Sequence, residues 1–360
     1  MLQLSAETIR DQLRLVFESW KMESHHIETC VLQMVEADLM GIDSHGIGML
    51  PTYADNFSRG ALVANPTVRT VNDLGAICLL DADHGMGHVA ATQGMELAIE
   101  KASQHGLGAV SVRNSNHFGA AGVYSNMARK RGYIGICTTG TTQRSVVPTF
   151  GKEPRFSTNP IAFAAPGNTQ PNGFSLDMAT STVAVGKLRI AARAEKPMPE
   201  GWVVNTSGDA ETDPEAALAA TPKRLTPLGG TRTLGSHKGY GLAVMVDILS
   251  SVLSGSFIGG YNLRTGEREK YINVGHFFLA LDPRGFDDDD QPFEDRLDDL
   301  IDMLRATPAA DPDQPVLIPG DPEQAAYEER TRNGIPVTDK LAAEVKAVAA
   351  TSGVPFLFDR

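Results

Sequence analysis

The chain has 360 residues, 42% of them hydrophobic and 21% charged, ordinary usage for a globular protein. That excludes global disorder and fibrous structure, and the length leaves room for two domains or one large fold with additions. A net charge of −12 repels nucleic-acid phosphates and anionic membranes, so neither is expected as a partner. Cys30, Cys78 and Cys137 are odd in number, widely spaced and without a CxxC pair, the usage of a reducing, cytoplasmic compartment. The opening MLQLSAETIRD lacks the basic start and apolar run of a signal peptide.

In chain order, Ser5 is placed to cap a helix, and Ile9, Leu13, Val16, Phe17 and Trp20 follow on one face. A second helix starts near Ser24, buries Ile27, Val31, Met34, Val35 and Leu39, and stops at Gly41. The glycine-rich IDSHGIGMLPTY then reads as loop. Short β-rich runs at 67–71, 76–81, 108–112 and 133–138 alternate with helical stretches at 88–105 and 119–131. That alternation predicts an α/β layer structure around a mostly buried sheet. Residues 198–228, rich in proline, alanine and acids, read as an excursion over the surface. A buried helix is expected at 239–254 and a strand at 276–281. The stretch 239–260 carries Asp247, serines and glycines and falls short of a membrane-spanning run. Beyond the acidic run at 287–290 the chain turns helical again, with Leu341, Val345 and Val348 on one face.

GMGHVA at 85–90 matches the G-x-G-x-x-A form of the dinucleotide fingerprint. A Rossmann unit places an acidic residue about 20 residues further on, at the end of the next strand. Here GLGAVSV ends in Arg113 and Asn114, so a tight strand-to-helix turn is the preferred reading. His84 and His88 are separated by two glycines and have no third ligand nearby, and the run at 287–290 lacks the glycine and glutamate of a calcium loop. No metal site is expected.

Four segments place polar residues inside apolar or glycine-rich sequence. Asp43-Ser44-His45-Gly46 follows a helix stop, and RNSNHFG at 113–119 follows a strand, where α/β sheets place their active sites. His117 is a general acid or base there, or only a cap for the next helix. The segment 157–160 is followed by LDMATS, in which Asp177 either orients an imidazole, binds a ribose or amide, or caps a helix. In GSHKGYG, glycines admit a ligand to the backbone, helix-start N–H groups attract an anion and Lys238 adds charge. A phosphate site is preferred to a plain helix start. A general acid, a carboxylate and a phosphate cradle fit a dinucleotide-dependent redox enzyme.

At these residues the sequence resembles the malate/L-lactate dehydrogenase family, NAD(P)-dependent oxidoreductases separate from the Rossmann-type enzymes of similar name. Members include sulfolactate, ureidoglycolate and diketogulonate enzymes and a cyclic-imine reductase. The match is collinear: DSHG at 43–46, NSNHFG at 114–119, STNPIAFAAP at 157–166, LDMATS at 176–181, HKGYGLA at 237–243, GHFFLALDP at 275–283 and IPGDPE at 318–323. The wording is most like the hydroxycarboxylate dehydrogenase branch.

The resemblance implies that His117 donates a proton to the substrate carbonyl and acts as base in the reverse direction. Ser44, His45 and Asp177 become its active-site neighbours. Thr141, Thr158, Asn159, Asp177, Met178, Ala179, His237, Lys238, Gly320, Asp321 and Pro322 become contacts to NAD or NADP. Met49, Tyr53 and Arg189 join Ser44 and His45 around a 2-oxo or 2-hydroxy acid. The implied fold is a non-Rossmann, sulfolactate-dehydrogenase-like α/β domain over 71–284, plus a helical region built from both chain ends, 1–70 with 285–360. Such enzymes are usually homodimers, and a piperideine- or pyrroline-2-carboxylate reductase or a ureidoglycolate-type dehydrogenase is the alternative on the same scaffold. Two positions depart from the pattern. Met49 stands where many relatives carry an arginine able to pair a carboxylate. That predicts a substrate with an apolar tail, or anchoring by Arg189 or His45. Ser157 replaces a common glycine before Thr158.

Overall fold

The computed structural model describes residues 1–169, 173–287 and 291–359. β1 (Leu2–Leu4) leads into α1 (Ala6–Ser19) and α2 (Ser24–Leu39). The Ser5 hydroxyl accepts from the Thr8 N–H at 3.1 Å, the cap expected from sequence. A 3-10 turn at Ile47–Met49 feeds α3 (Leu50–Ser58). Next come β2 (Arg69–Leu74), β3 (Ile77–Asp81), α4 (Gly87–His105), β4 (Leu107–Ser115), α5 (Ala121–Arg129), β5 (Ile134–Thr139), β6 (Ile161–Ala165) and β7 (Phe174–Met178). A side lobe follows with α6 (Val185–Arg193), β8 (Val203–Val204), β9 (Ala210–Glu211) and α7 (Pro214–Ala219). α8 (Ser236–Asp247) runs into a π turn at Ile248–Val252 and then β10 (Val274–Leu281). α9 (Phe293–Arg305), α10 (Asp321–Asn333), β11 (Ile335–Val337) and α11 (Asp339–Ser352) close the chain.

Among the described residues the main sheet has the order β2-β3-β4-β10-β5-β6-β7, and β3–β4 is its one parallel pair. This mixed α/β arrangement is no doubly wound parallel sheet. Its register matters for function. Asp81 faces Arg113, Ser115 faces Val274, Thr139 faces His276, Thr138 faces Ile161, and Ile161 faces Met178. The carboxyl ends of β3, β4, β5 and β7 therefore meet the amino ends of β6 and β10 at one end of the sheet.

The first helices find their packing partner at the other end of the chain. Ile9, Leu13, Phe17, Val31, Met34 and Tyr53 share one buried cluster with Ile335, Val337, Val345 and Phe358, and β1 pairs with β11. A second cluster, including Leu80, Met95, Val110, Phe118, Tyr124 and Phe278, fills the space between α4, α5 and the sheet. α9 leans elsewhere: its Asp298 accepts from the N–H and hydroxyl of Thr169 at 2.6 and 2.7 Å, beyond β6. Of the acidic run, Asp287 pairs with Arg296 at 2.8 Å, and 288–290 lie outside the described residues.

Three expectations need correction. β2 is exposed along its whole length and β7 is only half-buried, so burial is concentrated in the inner strands of the sheet. The segment 198–228 is more than a surface excursion, because Met198, Val203, Ala217 and Leu225 close a small core with Val146 and Leu188. The helix foreseen at 239–254 begins at Ser236 and buries its small and polar face. Ala243, Val246, Ser250, Ser251 and Ser254 turn inward, while Ile248, Val252 and Leu253 are exposed. Close approach to the sheet demands this, since a Cβ on Gly275 would lie 1.9 Å from the Ser250 carbonyl oxygen.

Candidate active site

β4 delivers His117. Asp81, at the end of β3, accepts from Arg113 Nε at 3.1 Å and Asn114 Nδ2 at 2.9 Å, which holds Asn114 at a left-handed φ of 53°. Asn116 Nδ2 then donates to the carbonyls of His84 and Gly85, each at 2.9 Å. A Cβ on Gly87 would lie 2.2 Å from the Asn116 carbonyl oxygen and 2.5 Å from that of His117. The glycines of GMGHVA are thus the seat of the His117 loop, and the protein's own backbone occupies the place a pyrophosphate would take. His84 and His88 diverge: His84 Nδ1 meets the Ile272 carbonyl at 2.9 Å, and His88 is wholly buried.

The His117 ring is held from one side. The hydroxyl of Tyr53, buried on α3, lies 2.9 Å from Nδ1, and the Gly119 N–H donates to the same atom at 3.3 Å. A backbone N–H can only donate, so the neutral ring is assigned its proton on Nε2. Among the described residues no hydrogen bond engages Nε2. The His45 ring stacks on His117 with centroids 5.4 Å apart, and its Nδ1 lies 2.7 Å from Ser44 Oγ. His88 stands edge-on to Tyr53. Burial, reinforced by His45, His88 and His276, holds the His117 imidazole well below its ordinary value. Burial likewise lowers His45 and brings His88 to about 3. The site is a cluster of neutral imidazoles.

Both chain ends fix the loop that carries Ser44 and His45. Asp38, buried on α2, accepts from the Ile47 N–H at 2.9 Å, and a Cβ on Gly46 would strike its carboxylate at 1.9 Å. Arg330, from α10, pairs with Asp43 and donates to the Asp38 carbonyl at 2.6 Å. Burial pushes the Asp38 carboxyl up to about 8.

At the far side of the sheet end, Asp177 Oδ2 accepts from the Gly122 N–H at 2.7 Å, in the first turn of α5. Burial raises this carboxyl to about 6. Its partner is a helix start, not an imidazole, although that helix follows directly on the His117 loop. Asn159 Nδ2 donates to the Ala243 carbonyl and to Asp247 Oδ2, both at 2.9 Å, and Thr180 Oγ1 donates to the carbonyls of Thr158 and Asn159. These bonds gather Thr158, Asn159, Met178 and Ala179 beside α8, with Asn159 committed to holding that helix. Thr141 lies just past β5, its hydroxyl 3.4 Å from the Gln143 carbonyl. The first turn of α8 starts at a left-handed Gly235 without a side-chain cap and exposes His237 and Lys238. In that turn the Ser236 and Lys238 N–H groups are taken by the Thr231 and Gly235 carbonyls at 3.0 and 2.8 Å, so the His237 N–H and the exposed Lys238 side chain are what it offers to the phosphates of a dinucleotide.

Gly320 and its neighbours run along the open edge of β7, where the Ser175 N–H donates to the Pro319 carbonyl at 3.0 Å. Asp321 is occupied by Arg305 and the Ile318 N–H, and Pro322 opens α10. Met49 packs against the helical core, and Arg189 is exposed on α6 in the side lobe. Neither has a hydrogen bond or ring contact with the His117 group among the described residues. Sequence reasoning missed Asp38, Arg330 and His276. Asp38 and His276 had one signal, a titratable side chain on an otherwise apolar helix face or strand, and Arg330, on the polar helix α10, had none.

A model of the malate/L-lactate dehydrogenase family matches residues 4–346. The malate dehydrogenase of Pyrococcus horikoshii is 39% identical over 322 residues, 89% of this chain and 87% of the relative. Hydroxycarboxylate dehydrogenase B of Escherichia coli K12 is 32% identical over 98% of this chain and 95% of its own length. The crystal structure of malate dehydrogenase from Entamoeba histolytica superposes with a TM-score of 0.90 at 33% identity, over 98% of both chains. The chain therefore belongs to the malate/L-lactate dehydrogenase family of oxidoreductases.

Proposed function

We propose that the protein interconverts a 2-oxo acid and a 2-hydroxy acid using NAD or NADP, with His117 moving the proton. The observation that carries this reading is an imidazole with Nδ1 pinned by a buried phenol and Nε2 left open, at the sheet end where the family's segments converge. The dinucleotide, when bound, supplies or accepts the hydride. Lys238, His237 and the first turn of α8 hold its phosphates, and Thr141, Thr158, Met178, Ala179 and the edge segment at Gly320 complete its contacts.

In the oxidation direction the ring takes its other tautomer: the longer Gly119 bond to Nδ1 is given up, the Tyr53 hydroxyl turns to accept from Nδ1–H, and the Nε2 lone pair is freed to take the hydroxyl proton. In the reduction direction Nε2–H points at the carbonyl oxygen and protonates it as negative charge develops. A substrate carboxylate beside the ring favours the imidazolium this step requires. With Met49 drawn onto the helical core, Ser44 and His45 anchor that carboxylate, and an apolar tail suits the methionine. The assembly we propose is a homodimer, supported by the outward apolar face of α8 and its π turn. Sedimentation of a single monomeric species at micromolar concentration would contradict it.

Loss of nicotinamide absorbance with NADH and NADPH against a panel of 2-oxo acids and one cyclic imine tests the reaction. Turnover of an oxo acid is expected, with phenylpyruvate ahead of oxaloacetate. The reverse order removes the apolar-tail argument, and turnover of the imine alone replaces the reading by the imine reductase. A silent panel with cofactor bound contradicts the substrate class.

A further inference from the structure

We propose that His276 is a positioning residue, which holds the His117 loop and the strand end leading to Thr141 at a fixed separation. This role rests on the reading of His117 as the proton carrier. β10 lies between β4 and β5, and His276 faces Val112 on one side and Thr139 on the other. The β10–β4 register breaks between Val274 and His276, beside the start of the His117 loop. At such a bulge the backbone ladder is interrupted, and a side chain can be re-aimed to do the joining.

The His276 ring is fully buried and spans the gap. Nδ1 lies 2.7 Å from Thr139 Oγ1 and Nε2 lies 2.8 Å from Ser115 Oγ, so one imidazole ties the two neighbouring strands together. Thr139 Oγ1 also donates to the Gly140 carbonyl at 2.8 Å, one residue before Thr141. The ring face stacks on Phe118, the residue after His117, with centroids 4.6 Å apart and planes 12° from parallel. A neutral imidazole offers one N–H and one lone pair, enough to serve both hydroxyls. Burial lowers its pKa to about 3, so it stays neutral across the working range. Packing alone gives no reason for a buried imidazole here, since an apolar ring would fill the space without desolvating two nitrogens.

The test is His276→Phe, which keeps a ring against Phe118 and loses both hydrogen bonds, alongside His276→Gln, which offers a donor and an acceptor. Expected for His276→Phe is a fall in kcat of about 10²-fold, the scale of a small misplacement of a reacting group. NADH affinity, read by fluorescence titration, should be retained, and His276→Gln should recover part of the loss. A folded His276→Phe enzyme with wild-type kcat overturns the proposal. So does a loss that tracks melting temperature alone and is not eased by glutamine. If His276→Phe does not fold, Ser115→Ala and Thr139→Val take its place, and wild-type kcat in both overturns the proposal. His117→Ala separates the two ideas. An active His117→Ala enzyme defeats the underlying reading, whereas an inactive one beside a fully active His276→Phe enzyme defeats the positioning role alone.

Discussion

Tyr53 and Gly119 both address Nδ1 of His117 and leave Nε2 open, the atom that meets the substrate in the proposed mechanism. A hydroxyl can donate or accept, so Tyr53 follows either tautomer and keeps the ring in place, whereas the Gly119 N–H serves only the one with its proton on Nε2. The environment sets the charge. Burial first, and then the three neighbouring imidazoles, depress the His117 pKa below 6.5, so the free enzyme holds its base ready in neutral solution. The pH dependence follows with a definite sign. Hydroxy-acid oxidation, measured as kcat/KM, should stay level from about pH 8 down through 6.5 and fall only in more acid solution, because kcat/KM reports free-enzyme ionisations. A decline centred at or above the ordinary histidine value would contradict this. Asp177 was legible as a carboxylate closing an apolar run, but its partner was not. Sequence spacing cannot show that the first turn of α5 swings over the end of β7 to meet it.

Among the elements, the loop at 43–46 shows why a site needs its supports. α2 contributes Asp38, whose buried carboxyl receives the Ile47 N–H, and α10 contributes Arg330. Folding raises the Asp38 pKa from 3.8 to about 8, so the native state holds a proton that the unfolded chain has lost between those values. Stability must then fall as pH rises across that window, by about 1.4 kcal/mol per unit from this group, and level off above it. Asp38→Asn keeps an oxygen to accept from Ile47 and removes the titration. Thermal melts should show the variant gaining on the wild type from about pH 4 to about pH 8. Parallel curves would show that Asp38 does not titrate as described. Helices α1, α2, α4 and α5 and strands β3 to β5 were readable because apolar periodicity and turn residues report local structure. The antiparallel insertion of β10 between β4 and β5 was not, since pairing partners 159 residues apart, such as Val274 and Ser115, leave no local signal. The inward serines in and after the π turn that follows α8 misled for the same reason, because their burial depends on the close approach of Gly275 in β10.

Across the whole molecule, no single segment makes the site. The first helices and the loop between them supply Tyr53, Ser44 and His45, the sheet supplies His117, Thr141 and Asp177, and the chain beyond α7 supplies Lys238, His276 and Arg330. Collinear segments revealed this set in the sequence apart from His276 and Arg330, and the strand register explains why they converge at one end of the sheet. Met49 and Arg189, both named as substrate contacts, lie on separate parts of the structure and make no hydrogen bond with the central histidine. The central claim is that His117 carries the proton while other residues hold the dinucleotide. It is tested most directly by His117→Ala, assayed with the best oxo acid and titrated with NADH. The account predicts a loss of turnover of about 10²–10⁴-fold with nucleotide affinity and melting temperature retained. Wild-type turnover in that variant would contradict it.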